Sequence, residues 1–428
     1  MRIAFYTLGC KVNQYDTQMM REKLEQHGHV TVRFEQEADC YIINTCTVTN
    51  MSDKKSRQII SKCKKMNRDA IIVVCGCYAQ ISPDETASLS GVDVVIGTAN
   101  RKNIAEYIQT FLEKKAQIIE VPDLSGEKIL CSEQISRFDE KTRAILKVED
   151  GCRNFCSYCA IPFARGPIRS KSQAEIDEEL RNLQSNGYKE VVLTGIHLAS
   201  YGKDFGNTDL ADVILQTDSF GFDRIRLGSL EPKIITEEFL QKISSAKSLM
   251  PSFHLSLQSG CDTVLQRMNR HYTTNEYRLA VSLLREYYPN CAITTDIIVG
   301  FPGETEEEFN KTLQFAKEIS FAKIHIFPYS PRKGTKAAYF TDQINGNVKS
   351  LRCKQLEQVE IQSRNAFLEK HIDQILPVLF EQNKDDYWEG YTENYLPVFV
   401  SSEKPLDGVL QQVKITKVEN DTLFSEFL

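Results

Sequence analysis

The sequence of 428 residues predicts an α/β protein in three parts. These are a parallel sheet with helices, a partial (β/α)6 barrel, and a small terminal β-barrel. Three observations carry this. Short apolar runs alternate with helix-like stretches in two successive series, the pattern of parallel α/β sheets. The final segment, 371–428, instead shows short alternating strands separated by turn residues. At the start of the second series, Cys152, Cys156 and Cys159 follow a strand-like run directly, in GCRNFCSYC.

The first series occupies 1–115. Its strands are 2–7 (RIAFYT), 40–44 (CYIIN), 70–75 (AIIVVC) and 92–97 (VDVVIG), with helices expected at about 15–27, 51–67 and 101–115. Residues 116–137 have weak periodicity and read as a linker. The second series lies within 138–348. Its strands are 143–148, 189–194, 223–228, 252–257, 291–299 and 322–327, and helices are expected between them at 172–186, 209–217, 236–246, 275–287 and 304–319. Six β/α units fit a partial barrel, and right-handed crossovers make the carboxyl ends of its strands the active face. A connecting helix, 349–370, leads into the terminal barrel at 371–428.

Composition narrows the class. No apolar run approaches the roughly 18 residues that span a bilayer. The start, MRIAFYTLGCKVN, reads as a core strand and not as a signal peptide. A cytoplasmic protein is expected, in which the 13 cysteines are thiols and metal ligands more than disulfides. Residues 371–428 hold 11 Asp/Glu against 4 Lys/Arg, and the rest of the chain 47 against 48. A phosphate-binding surface is therefore expected outside the terminal barrel.

The C-x3-C-x2-C triplet offers three thiolates to a cubane cluster and leaves one iron open to a substrate or cofactor. Zinc normally takes a fourth nearby ligand, and the nearest downstream histidine, His197, is far off in sequence. C-x3-C-x-aromatic-C after a strand, followed by such a barrel, resembles the radical S-adenosylmethionine (SAM) superfamily. The resemblance implies that the open iron binds SAM and that the reduced cluster cleaves it to a 5′-deoxyadenosyl radical. It gives Cys152, Cys156 and Cys159 the catalytic role. It also points to cofactor contacts at successive strand ends: Thr194 and Gly195, Ser229 and Glu231, Gln258 and Ser259, and Asp296 before the turn VGFPGE. Tyr158 is expected beside a nucleobase or as a packing ring, and Arg270 as a cofactor contact or a solvated helix-end charge.

A second cysteine set is dispersed. Cys10, Cys46 and Cys77 each follow a strand of the first series, and carboxyl-end loops of neighbouring parallel strands converge in one crevice. Asn13 and Asn44 are placed to donate to cluster sulfur or to the loop backbone, or to serve as turn and cap residues. Cys75 is kept inside its strand. LGCKVN, INTCTV and CGCYAQ, then CRNFCSYC, then a terminal barrel, resemble the methylthiotransferases over essentially the whole chain. The resemblance implies a flavodoxin-like amino-terminal domain with an auxiliary cluster, the radical SAM partial barrel, and an OB-like TRAM domain. It implies two [4Fe–4S] clusters and two SAM molecules per turnover.

KVNQYDTQ, ARGPIRS and TGIHLASYG resemble the branch that methylthiolates C2 of N6-threonylcarbamoyladenosine at position 37 of tRNA, next to the anticodon. Other branches act on isopentenyladenosine in tRNA or on an aspartate of a ribosomal protein. A non-catalytic iron–sulfur or zinc RNA-binding protein is the alternative of another class. Ile196 and His197 stand where the isopentenyl branch has Gln-Asn, so His197 is expected as a substrate contact or as a satisfied loop histidine. The expected tRNA surface comprises Lys54, Lys55, Arg57, Lys62, Lys64, Lys65 and Arg68, then Arg165, Arg169 and Lys171, then Lys323, Arg332, Lys333 and Lys336. Tyr387, Trp388, Tyr391 and Tyr395 either stack on RNA or pack between domains. The expected partners are the tRNA anticodon loop and an electron donor such as flavodoxin or ferredoxin, with the enzyme a monomer that does not enter membranes.

Overall fold

The computed structural model describes residues 1–47, 50–128, 130, 134–138 and 142–428, excluding the side chains of 50–54. Lys54 therefore lies outside the described side chains. The first sheet contains β1 (Arg2–Thr7), β2 (Val30–Val32), β3 (Cys40–Thr45), β4 (Ile71–Gly76), β5 (Val94–Ile96) and β6 (Ile118–Glu120). All pair in parallel, in the order β2-β1-β3-β4-β5-β6. Every residue of β3 and β4 is buried, which is why these strands read as continuous apolar runs. Ile42, Val73 and Val94 face the helices Lys11–Gln26 and Ile104–Lys114. Ile43, Val74 and Val95 face the helix Asn50–Met66 on the other side. The chain departs from β1 to opposite sides, toward β2 and toward β3, and this switch point opens a crevice at the carboxyl ends.

Two strands escape the sequence pattern. β2 has three half-exposed or exposed residues, too few to show a period. β6 falls in the expected linker at 116–137 and extends the sheet to residue 120. As an edge strand with two of its three residues exposed, it carries no apolar signal.

The second series begins with β7 (Arg143–Lys147), then a two-stranded antiparallel ribbon, β8 (Glu149–Asp150) and β9 (Arg169–Ser170), which encloses the cysteine loop. β10 (Glu190–Thr194) and β11 (Arg224–Leu227) join β7 in one parallel sheet. β12 (Ser252–His254), β13 (Ala292–Val299) and β14 (Lys323–Pro328) form the next. Single parallel bridges, including Leu230 to Leu255, carry the curve from β11 to β12. The helices return along the outside, four of them opening in capping boxes, such as Thr305 with Glu308. No helix among the described residues is long and apolar enough to cross a membrane.

The helix Gly346–Glu369 starts three residues before its expected boundary, capped by Asn345. It leads to a closed barrel of β15 (Ile375–Lys384), β16 (Tyr387–Tyr391), β17 (Pro397–Val400), β18 (Leu410–Glu419) and β19 (Thr422–Phe427). Phe380, Val398, Val413, Ile415 and Leu423 fill it. Arginines of β11 clamp this barrel to the larger one. Arg224 donates to the carbonyls of Tyr391 (2.8 Å) and Pro377 (2.9 Å), and Arg226 to those of Glu393 (2.8 Å) and Thr392 (2.9 Å). Arg143 of β7 lies over the stacked rings of Tyr391 and Tyr395. These two tyrosines pack between domains.

Candidate active site

Cys10, Cys46 and Cys77 sit at the carboxyl ends of β1, β3 and β4, where two glycines let their loops meet. Gly9 has φ +102°, and a Cβ there would lie 2.8 Å from Cys46 Cβ and 3.0 Å from its Sγ. Gly76 has φ +96°, and a Cβ would lie 2.5 Å from both Asn44 Oδ1 and the Thr45 carbonyl oxygen. Neither site accepts a side chain without displacing a cysteine loop. Asn13 donates to the carbonyls of Leu8 (2.7 Å) and Thr45 (3.0 Å), and Asn44 to that of Asn13 (2.9 Å). Both asparagines thus fix the loop backbone.

The second triplet lies in the loop between β8 and β9, and its geometry is equally constrained. Phe155 adopts the left-handed conformation (φ 46°) between Cys152 and Cys156. Asn269, also left-handed, donates to the carbonyls of Asn154 (3.2 Å) and Phe155 (3.0 Å). Burial pushes the Cys152 and Cys159 thiols up to about 12 and raises that of Cys10. Thiols held protonated in this way become ligands when a metal displaces the proton. Two sets of three soft thiolate donors suit iron–sulfur clusters.

Each set has one guanidinium at a sulfur. Arg270 Nη1 donates to Cys156 Sγ (3.3 Å), and Arg165 Nε donates to Cys77 Sγ (3.3 Å). Arg270 also pairs with Glu231 (2.9 Å), which accepts from Asn154 (2.7 Å) and lies 3.0 Å from His197 Nε2. Beside Cys152, Glu149 accepts from the His197 backbone N–H (2.7 Å) through Oε2, while its Oε1 is buried with no partner among the described residues. Burial pushes this carboxyl well above its usual range. A buried orphan acceptor beside a cluster ligand suits the ammonium group of a bound amino-acid cofactor.

Two family models match. One, described as "Uncharacterized protein family UPF0004", covers residues 2–97, and the Radical SAM superfamily covers 146–316. A threonylcarbamoyladenosine tRNA methylthiotransferase MtaB of Bacillus subtilis is 40% identical, the match covering 97% of this chain and 94% of the relative. Its counterpart in Aquifex aeolicus is 39% identical over 93% of this chain and 96% of its own. The chain belongs to the radical SAM methylthiotransferases. A second kind of relative in the family, a tRNA-2-methylthio-N(6)-dimethylallyladenosine synthase of Clostridium tetani, is 35% identical over 98% of this chain and 95% of its own. Among solved structures, the radical SAM methyltransferase TsrM of Kitasatospora setae has a TM-score of 0.59 at 15% identity, covering 79% of this chain and 77% of that one. That likeness is one of fold.

In this methylthiotransferase, Gly195 and Glu231 meet groups beside the second triplet. Thr194 ends β10, and Gly195 lies under Glu149, whose Oε2 would be 2.6 Å from a Cβ there. Tyr158 is half-buried and packs beside Met268 and Phe301. Gln258 holds φ 68° and receives the Ile298 N–H (2.9 Å). Asp296 faces His254 (3.4 Å), whose ring lies 5.9 Å from that of His325. This His-Asp-His group escaped the sequence reading, and its one signal was a histidine flanked by apolar residues in each of two strands.

Four expected tRNA contacts are not at the surface. Arg165 is fully buried and bonds to Asp16 (2.9 Å), Asp150 (3.1 Å) and Asn13. Arg169 is buried and donates to the Arg165 carbonyl (2.5 Å), while Arg332 is buried and donates to Thr47. Lys171, named with them, is buried against Glu179 and Tyr15. The reason is that the first domain docks on this side of the barrel, where its Asp16, Tyr15 and Thr47 hold Arg165, Lys171 and Arg332 inward. Lys55, Lys62, Lys65, Arg68, Lys333 and Lys336 remain exposed.

A 680 Å³ cavity occupies the barrel interior. Ser229, His254, Thr294 and His325 line it from the strands, Tyr391 and Tyr395 from the terminal barrel, and Lys11 from the first domain. Lys11 was not singled out from the sequence.

Proposed function

We propose that this chain transfers a methylthio group to C2 of N6-threonylcarbamoyladenosine beside the anticodon of tRNA. One observation carries the reading: the two cysteine triplets sit within one short helix of each other. Only Ala160 and the helix Ile161–Arg165 separate Cys159 from the guanidinium at Cys77. Whole-length similarity to relatives of that name supports the substrate. When bound, SAM and two [4Fe–4S] clusters supply the radical and the sulfur.

The residues then have separable tasks. Cys152, Cys156 and Cys159 hold one cluster, and Cys10, Cys46 and Cys77 the auxiliary one. Arg270 and Arg165 each place a positive charge at a ligand sulfur, which favours the added electron density of a reduced cluster. Thr194, Gly195, Ser229, Glu231, Gln258 and Asp296 line the SAM side, with Tyr158 next to the triplet and His197 oriented by Glu231. The cavity keeps water from the reacting carbon. The exposed lysines of 55–68 and 333–336 meet tRNA phosphates. An electron must arrive from outside the chain, and a flavodoxin or ferredoxin is the expected donor in the cytoplasm.

Anaerobic reconstitution tests this. With iron and sulfide restored, the protein should bind about eight irons. It should methylthiolate a tRNA carrying threonylcarbamoyladenosine and leave one carrying dimethylallyladenosine unchanged. Product on the dimethylallyl tRNA alone contradicts the reading.

A further inference from the structure

The cavity wall is rich in cations, but nearly all are already neutralised. Arg226 pairs with Glu190 (2.8 Å), Arg143 with Glu381 (2.8 Å), and Lys323 with Glu360 (3.2 Å). Lys11 differs. It lines the cavity, is exposed, and its ammonium has no hydrogen-bond or ion-pair partner among the described residues. Arg143 and Arg226 line the same cavity. Lys11 also opens the helix directly after Cys10, so the cavity adjoins the auxiliary site. Ser229, on the same wall, is two residues from Glu231 and its partner Arg270. The cavity wall thus holds a residue adjoining each site.

An unpaired ammonium in a cavity whose other cations are paired favours an anionic guest. Threonylcarbamoyladenosine carries a carboxylate on its modified nitrogen. A dimethylallyl group is hydrocarbon and would bury the ammonium unpaired, which opposes that substrate. The volume suits a modified base, since small-molecule sites occupy about 300–1,000 Å³. We infer that Lys11 selects the substrate by pairing its ammonium with the carboxylate of the threonylcarbamoyl group in this cavity. The inference rests on the substrate proposed above and adds the residue that reads it.

The test is binding of three anticodon stem-loops to the anaerobic, cluster-loaded protein without SAM. One carries threonylcarbamoyladenosine, one its methyl ester, and one unmodified adenosine. A charge-assisted hydrogen bond predicts about tenfold tighter binding of the free acid than of either other form. Lys11→Met should abolish that preference, and Lys11→Arg should restore most of it. Preference persisting in a fully iron-loaded Lys11→Met variant overturns the assignment. So does a variant that loses affinity for SAM, whose own carboxylate is the competing guest, while still preferring the acid. If Lys11→Met fails to load iron, the ester arm decides on the wild type alone: equal affinity for ester and acid overturns the inference. Product analysis separates the two levels. Wild type that forms methylthio product on the acid but binds acid and ester alike refutes only the role of Lys11. Wild type that forms no such product refutes the substrate reading and the inference with it.

Discussion

At the scale of single residues, Arg165 connects the two halves of the site. Burial opposes its charge, but Cys77, Asp150 and Asp16 together more than offset that and strengthen the guanidinium's hold on its proton. Asp16 in turn meets Arg101, Lys147 and Arg165, which hold its carboxyl well below the usual range although burial pulls the other way. Arg165→Met leaves these carboxylates short of a partner in a site closed to water. It should cost about 3–5 kcal/mol of stability in anaerobic denaturant unfolding, with Arg165→Lys recovering part of the loss. A second residue-level prediction concerns acid. Arg267 donates twice to Glu308, at 2.9 and 2.6 Å, and this bond above all holds the Glu308 carboxyl down at about 2. A carboxyl lowered on folding contributes stability above its unfolded value near 4.5, and that contribution is lost as pH falls toward 2. The stability difference between wild type and Glu308→Gln should stay constant above about pH 5 and shrink below 4.5. A difference that does not change between pH 6 and 3.5 would rule the pair out.

At the scale of elements, the strand-end loops hold the two cysteine sets, and they were the most legible feature of the sequence. Each cysteine of the dispersed set follows an apolar run that is a buried strand, so the rule for carboxyl ends of parallel strands located it. Gly76→Ala should displace the Cys77 loop against Asn44 and Thr45. Iron counting should then find about four of eight irons, with SAM cleavage retained; a full complement would refute the role given to the loop. The partners of those loops were not legible. A run such as ARGPIRS shows that cations follow the cysteine loop but not which way they point. Asp16, distant in sequence, turns Arg165 inward. Lys11 was hidden for the same reason, because the groups that share its cavity, Arg143 and Arg226, belong to another domain. His254 and His325 each sit in a short strand, where one histidine among apolar residues gives no hint of the other.

At the scale of the whole molecule, the terminal barrel closes the interior cavity. Its net charge is negative, and its tyrosines cover Arg143 while its carbonyls accept from Arg224 and Arg226. Removing 371–428 uncovers these arginines and opens the cavity to water. Deletion should weaken tRNA binding through lost shape, with little change in the dependence of affinity on salt. A large fall in that salt slope would show instead that the terminal barrel contacts phosphates itself.

The central claim is that the two cysteine sites act together on one modified base. Nucleoside mass spectrometry of tRNA from cells with and without this protein tests it most directly. Loss of the protein should eliminate 2-methylthio-N6-threonylcarbamoyladenosine and leave N6-threonylcarbamoyladenosine in its place. Complementation should restore the methylthio form only when both triplets are intact. Unchanged 2-methylthio-N6-threonylcarbamoyladenosine, or rescue by a chain lacking Cys10, Cys46 and Cys77, would contradict the account.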